Sequence, residues 1–175
     1  GLAAPYAHCT DGKTVYFVAR DGVWMTSGGA GTSLTAADLY NLFPREGIND
    51  DTVAEDYTYA TYTIYAPDYK YAADFRLSYG NSYLYFDYRD RNGNPRTLTC
   101  DLLDPTHPAW CVDFVNDDGA QITRHYALEQ QESTLLTTTA LYPLLLLGDA
   151  AGGVHKQVLN SNDNGEAIAG VYATF

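Results

Sequence analysis

Three Asx-Gly dipeptides punctuate the chain: Asp21-Gly22, Asn92-Gly93 and Asp118-Gly119. Such a pair accepts the left-handed backbone that tight hairpin turns demand, and each stands between runs rich in β-branched and aromatic residues. The segments TVYFVARDGVWMT, YLYFDYRDRNGNPRTLTCDL and WCVDFVNDDGAQITRHYAL are therefore expected to be hairpins, each turning at its Asx-Gly pair. In the first, Val15, Phe17 and Ala19 alternate with Tyr16 and Val18. Both sets are apolar, which predicts cover on both faces. In the second, Leu84, Phe86 and Tyr88 share one face and Tyr83 and Tyr85 the other. In the third, Ile122, Arg124, Tyr126 and Leu128 alternate with Thr123, His125 and Ala127, and the tail IAGVYATF predicts a last strand.

Helical signals are sparse. In TSLTAADLYNLFP, Thr35 is a candidate cap, Leu39, Leu42 and Phe43 form an apolar stripe, and Pro44 is a stop. A second helical stretch is expected somewhere between Leu135 and Ala151, although Thr137–Thr139 and Pro143 oppose it. No repeat or linker divides the sequence, so residues 1–175 are read as one β-rich domain. The expected fold class is mainly β: an antiparallel β-sandwich or open barrel with one or two short helices.

Charge narrows the partners. There are 22 acidic against 10 basic residues, a formal net charge of −12, and the lysines are only Lys13, Lys70 and Lys156. Such a chain is repelled by phosphate backbones and anionic lipid, so neither nucleic acid nor an anionic membrane surface is expected as a partner. The longest apolar run, ALYPLLLL, is far short of the roughly 20 residues that span a bilayer and reads as core. Acidic, lysine-poor and tyrosine-rich composition points to a secreted, extracellular protein. GLAAPYAHC lacks the basic and apolar parts of a signal peptide, so the sequence reads as a mature chain, and it holds no Asn-x-Ser/Thr sequon.

The cysteines are Cys9, Cys100 and Cys111. Cys100 and Cys111 flank a short loop stiffened by Pro105 and Pro108. In an oxidising compartment a disulfide between them would add about 2.5–3 kcal/mol by restricting the unfolded chain. Cys9 is then left over. No C-x-x-C or H-x-x-x-H spacing supports a metal site, and neither a cofactor nor a metal is assigned.

No catalytic residue is assigned either. His8 and Cys9 are adjacent, so on a strand they point apart and cannot form a nucleophile–base pair. His125 in mid-strand reads as structural. Asp50, Asp51, Glu55 and Asp56 cluster ahead of the tyrosines, and Glu129 and Glu132 follow the third hairpin. They are the material of a two-carboxylate hydrolase, yet in so acidic a chain they read first as solvated face. The stretch Asn160–Gly165 alternates asparagines as calcium loops do, but lacks the distal glutamate and reads as a turn.

DYTYATYTIYAPDYKYA packs six tyrosines into seventeen residues. Tyrosine suits recognition surfaces, since it offers a large amphipathic area at small entropic cost. By strand parity Tyr57, Tyr59 and Tyr65 fall on one side and Tyr62 on the other, beside Ala60 and Ile64, which predicts a buried Tyr62. The candidate binding residues are Tyr57, Tyr59, Tyr65, Tyr69, Tyr83 and Tyr85. The expected function is non-catalytic recognition of an extracellular glycan or protein partner through a tyrosine-rich acidic surface. The alternatives are a self-assembling filament or coat subunit, which would make the chain a homo-oligomer, and a small secreted two-carboxylate glycosidase-type hydrolase.

Overall fold

The computed structural model describes residues 2–44, 54–59, 62–80, 82–113, 116–117, 120–130, 142–149, 151–156, 162–163 and 166–167. The fold is mainly β, and every described strand pair is antiparallel. The first sheet holds β1 (His8–Thr10), β2 (Val15–Ala19), β3 (Gly22–Thr26) and β4 (Thr32–Ser33), in that order. A ribbon of β5 (Tyr57–Tyr59) and β6 (Tyr62–Ile64) follows. The second sheet holds β7 (Arg76–Gly80), β8 (Tyr83–Arg89), β9 (Pro95–Asp101) and β10 (Ala109–Asp113), again as neighbours in sequence order. The third holds β11 (Asn116–Asp117), β12 (Ala120–Gln130), β13 (Tyr142–Asp149) and β14 (Val154–Lys156), and a ribbon of β15 (Asn162–Asp163) and β16 (Glu166–Ala167) comes last.

The first two sheets share one core. Tyr16, Val18 and Val23 from the first meet Leu77, Leu84, Phe86, Leu98, Cys100 and Trp110 from the second. Leu34, Leu39, Leu42, Phe43 and Phe75 fill in from the connections. Phe86 is the hub: its ring centroid lies 6.3 Å from Phe43, 5.5 Å from Phe75 and 5.0 Å from Tyr88. Two buried polar tips tie the halves together, since Trp110 Nε1 donates to the Leu34 carbonyl at 2.8 Å and the Tyr69 hydroxyl to the Ala19 carbonyl at 2.6 Å.

All three hairpin segments change chain direction as expected, with corrections of detail. In the first, Ala19 pairs with Gly22, so Arg20-Asp21 is the two-residue loop. Neither residue has positive φ; Gly22 does, at 138°, and a Cβ there would strike the Thr35 hydroxyl. The turn is thus not a type I′ turn on Asp21-Gly22. Nor are both faces of this hairpin core, since Tyr16 and Val18 are buried while Val15 is 45% exposed. In the second, Arg89 pairs with Pro95, leaving a five-residue loop, Asp90–Asn94, wrapped round the Asp90 carboxylate. In the third, Asn116 and Asp117 pair with Gln121 and Ala120 across residues 118–119, which lie outside the described residues. The long partner of β12 is β13, however, and β10 pairs with β9 instead. The strand expected over 168–175 is also outside the described residues.

The helices are corrected more heavily. The Leu39 N–H reaches the Thr35 carbonyl, and the chain then tightens into a 3-10 turn, Tyr40–Leu42, in place of an α-helix. Thr35 cannot cap a helix because it is fully buried with its hydroxyl accepting the Val23 N–H at 3.2 Å; Ser33 Oγ takes the Thr35 and Ala36 N–H groups instead. The apolar stripe itself is real, for Leu39, Leu42 and Phe43 are all core. A second 3-10 segment, Tyr69–Asp74, is broken by a non-helical Tyr71. Within 135–151, residues Tyr142–Asp149 form β13 and not a helix. Leu144 to Leu147 pair with Leu128 to His125, so the leucine run forms a strand, with Leu147 buried.

The disulfide is overturned by register. No disulfide joins any of the cysteines. Cys100 stands opposite Trp110, and Cys111 opposite Thr99. The one-residue offset sends the two sulfurs to opposite faces of the sheet, where no disulfide geometry is reachable. Cys100 is buried in the core, and its thiol contacts the Asp101 carbonyl at 3.7 Å, while Cys111 contacts that of Thr99 at 3.5 Å.

Candidate functional site

The six candidate tyrosines do not form one surface. Tyr69 is a core strut: besides its bond to Ala19, its ring meets Phe75 edge-on at 5.3 Å, and burial pushes its hydroxyl far above the ordinary phenol range. Tyr65 lies under the Arg96 guanidinium, 4.3 Å from the ring centroid, and its carbonyl accepts the Tyr88 hydroxyl at 2.7 Å. Tyr57 is half-buried against the core. Tyr59 stands opposite Tyr62, and Tyr57 opposite Ile64, across the β5–β6 ribbon. Positions 57, 59, 62 and 64 therefore share one side of the ribbon, with Thr58 and Thr63 on the other, their hydroxyls 3.3 Å apart. The parity that sets Tyr62 apart from Tyr57 and Tyr59 is lost because β6 runs antiparallel to β5, in the register Tyr59 opposite Tyr62.

Tyr83 and Tyr85 are different. Leu84, Phe86 and Tyr88 face the core, as the alternation predicts, so Tyr83, Tyr85 and Asp87 face away from it. The two half-buried rings lie with centroids 6.5 Å apart, tilted by 39°. Register fills in their surroundings. Tyr85 is flanked by Ser78 on β7 and Thr99 on β9, with Cys111 next on β10. Tyr83 is flanked by Gly80 and Asp101, and Asp87 by Arg76 and Thr97. Thr97 donates its hydroxyl to Asp87 Oδ1 at 2.7 Å, and both residues are buried. This outer face is a floor of hydroxyls, carboxylates and tyrosines behind a floor of phenylalanine and leucine. Its burial requires a cover, and the third-sheet strand that runs against β7, β8 and β9 is β12.

The sequence reading missed Ser78, Thr97 and Thr99. Their signal is present in RTLTCD, where Thr97, Thr99 and Asp101 alternate with Leu98 and Cys100 at the period of a strand.

The aspartates mostly serve the backbone. Asp11 accepts the Lys13 and Thr14 N–H groups, Asp56 that of Ala66, Asp68 that of Lys70, Asp90 those of Asn92 and Asn94, Asp101 that of Leu103, Asp104 that of Thr106, and Asp149 those of Ala151 and Gly153. These are Asx-type loop closures, which explains much of the acid content without chemistry. Asp90 is the most deeply set. Burial alone would raise its carboxyl, but the Asn94 and Asn92 amides and the Arg96 guanidinium, 2.9 Å away, together hold it below its ordinary value. Asp104 is brought down to about 2 by the Thr106 hydroxyl and His107. That trio resembles a catalytic relay only in composition: His107 Nδ1 serves both Thr106 Oγ1, at 2.9 Å, and Asp104, at 3.0 Å, so no proton can pass through the ring between them.

Of the remaining expectations, His8 is exposed while Cys9 packs against the core, as neighbours on a strand must. Burial, then the nearby Asp11 charge, pushes the Cys9 thiol up to about 12. His125 pairs with Leu147 on β13, and Glu129 with Pro143; Glu132, Asp50 and Asp51 lie outside the described residues. Of Asn160–Gly165, only Asn162 and Asp163 are described; they pair antiparallel with Ala167 and Glu166, and the rest lies outside the described residues. Among the described residues no group of three or more His, Cys, Asp or Glu side chains is placed to hold a metal ion, and no helix is long and apolar enough to cross a membrane.

No protein family matches the chain, and neither a curated protein nor a solved structure does.

Proposed function

We propose that the protein is a secreted, non-catalytic recognition module that binds an extracellular glycan or protein partner through the half-buried Tyr83 and Tyr85 on the outer face of its second sheet. The observation that carries this reading is the paired, half-buried rings of Tyr83 and Tyr85 among polar side chains, on the face turned away from the shared core. Tyrosine rings beside hydroxyls and carboxylates give a ligand both stacking area and directed hydrogen bonds. The acidic composition keeps such a protein soluble and away from polyanions. The employment of so many aspartates in loop closure favours binding over a two-carboxylate hydrolase. The test is an array of extracellular glycans and proteins probed with the intact protein and with Tyr83→Ala and Tyr85→Ala. Each variant should lose at least tenfold in affinity for the ligand found while keeping its circular dichroism spectrum. Unchanged binding in both would remove this face from consideration.

A second reading has its own observation. β10 is an edge of the second sheet, and its sequence, AWCVD, holds neither the lysine nor the proline that commonly guards an edge. Pairing of β10 with a second copy would give an assembling subunit. Sedimentation of the protein against Ala109→Lys, at an exposed edge position, separates the two. A concentration-dependent assembly abolished by Ala109→Lys supports self-association, and a monomer in both cases rejects it.

A further inference from the structure

The loop Asp90–Asn94 carries a reactive pair that recognition does not use: Asn92 is followed by Gly93, and Asn92 is exposed. Glycine has no Cβ to crowd the approach of its own nitrogen to the preceding side chain. In such a pair the glycine nitrogen, giving up its proton, can attack Asn92 Cγ. The new N–Cγ bond closes a five-membered succinimide, and the Cγ–Nδ2 bond breaks to release ammonia, which carries the proton away. Water then opens the ring at either carbonyl and leaves aspartate or isoaspartate at position 92. Water is the only co-reactant, so the folded geometry decides whether the attack takes place.

That geometry opposes it. The Gly93 N–H donates to the Asp90 carbonyl at 2.9 Å, closing a turn in which Asn92 is the second central residue. Asn92 has no positive φ, so the turn is of the type I class, with an Asn92 ψ of about 0°. That angle sets the Gly93 nitrogen against the Asn92 nitrogen, whereas ring closure needs it against Cβ. The peptide between them must therefore rotate first. Rotation breaks the bond to Asp90, and also the one that Arg89 Nη1 donates to the Gly93 carbonyl at 2.8 Å. Asp90 Oδ1 holds the flanking chain, accepting the Asn92 and Asn94 N–H groups at 2.9 Å each. Tyr71 closes in from outside the loop, its hydroxyl 3.1 Å from where a Cβ on Gly93 would stand. We infer that Asn92-Gly93 is a latent deamidation site, shut by the Asp90 loop in the folded protein and exposed to attack whenever that loop opens. Opening thus leaves a covalent mark, and the mark is one-way. Isoaspartate routes the main chain through its side-chain carbons and lengthens the connection from β8 to β9. Either product adds a carboxylate two residues from the buried Asp90, which opposes re-closure. The inference stands apart from the recognition reading.

To test this, the intact protein is held at pH 8, folded in buffer and unfolded in guanidinium. The peptide carrying Asn92 is followed by mass spectrometry for the mass gain of an amide turned to an acid. Mapping by peptide separates it from the pair Asn164-Gly165, which lies outside the described residues. Folded protein should convert at least about tenfold more slowly than unfolded, because two hydrogen bonds must open together before attack. Arg89→Met removes the donor to the Gly93 carbonyl and should speed conversion of the folded protein about fivefold, the worth of one such bond, with the unfolded rate unchanged. Asp90→Ala should speed it further, and Arg89→Met carries the test if Asp90→Ala does not fold. Protein that carries isoaspartate at 92 should melt at a lower temperature than unconverted protein. Equal rates in folded and unfolded protein, or a folded rate that Arg89→Met fails to raise, overturn the inference. So does an unfolded chain in which Asn92 stays intact.

Discussion

The two faces of the β7–β10 sheet are made by the same strands and do opposite things. The inner face carries Leu77, Leu84, Phe86, Leu98, Cys100 and Trp110, all buried in one apolar core. The outer face carries Ser78, Tyr83, Tyr85, Asp87, Thr97, Thr99 and Asp101. On the inner face a polar atom that cannot reach water finds a partner, as Trp110 does at Leu34. On the outer face two hydroxyls do not. The inner face belongs to the core shared with the first sheet; the outer face, polar and run against by β12, is the one on which the recognition proposal rests.

The comparison depends on the register of β8 against β9, and the loop closed by Asp90 sets that register. Asp90 is fully buried and holds two loop amides, the Asn94 side chain and Arg96. Asp90→Ala should therefore cost about 3 kcal/mol in a urea melt, since it leaves the loop amides without their buried charged acceptor, while the partly exposed Arg96 can still reach water. The same carboxylate makes the protein acid-sensitive. Its folded pKa lies below its ordinary value of 3.8, so its contribution is complete above about pH 4 and is lost as the pH falls through the folded value. Melts between pH 5 and pH 2 should show wild-type stability falling more steeply than that of Asp90→Asn. Parallel curves would mean that Asp90 is not the anchor.

Leu98 and Thr99 sharpen the contrast at neighbouring positions. Leu98 is fully buried on the inner face, and Leu98→Ala should lose about 2–5 kcal/mol. Thr99→Ala, on the outer face, should change stability by about 1 kcal/mol or less, since the lost methyl is offset by the removal of an unmet hydroxyl.

How far the sequence revealed these faces depends on where the chain turns. Within β8 the period-two alternation was enough, and Leu84, Phe86 and Tyr88 are buried as it predicts. Across a turn parity carries no information, and so Tyr62 stands opposite Tyr59 instead of apart from it. The Cys100–Cys111 bridge looked sound by loop length, but a single register step, invisible before the strands pair, puts the sulfurs on opposite faces. The helix signal from Leu39, Leu42 and Phe43 reported burial correctly and geometry wrongly, because Thr35 was drawn into the β3 hairpin by the Val23 N–H. Of the candidate tyrosines, Tyr69 shows the same limit: nothing local distinguishes a surface phenol from one whose hydroxyl reaches a carbonyl fifty residues earlier.

That last assignment is testable with a smaller effect. Tyr69→Phe leaves the Ala19 carbonyl without its donor and should cost about 1–2 kcal/mol while leaving ligand binding unchanged. A loss of binding without a loss of stability would return Tyr69 to the surface. Smallest of all is the behaviour of the thiols. With its pKa up at about 12, Cys9 should resist iodoacetamide at pH 8 in the native protein and react fully once unfolded. Rapid native labelling of Cys9 would contradict its packing against the core.

The most direct test compares residues adjacent in sequence on β8, with one from each face. Tyr85→Ala and Phe86→Ala are melted in urea side by side. Phe86, fully buried among Phe43, Phe75 and Tyr88, should cost about 3–5 kcal/mol, and Tyr85 less than half of that. Equal losses would show that both faces are core and that the second sheet has no side to spare for recognition.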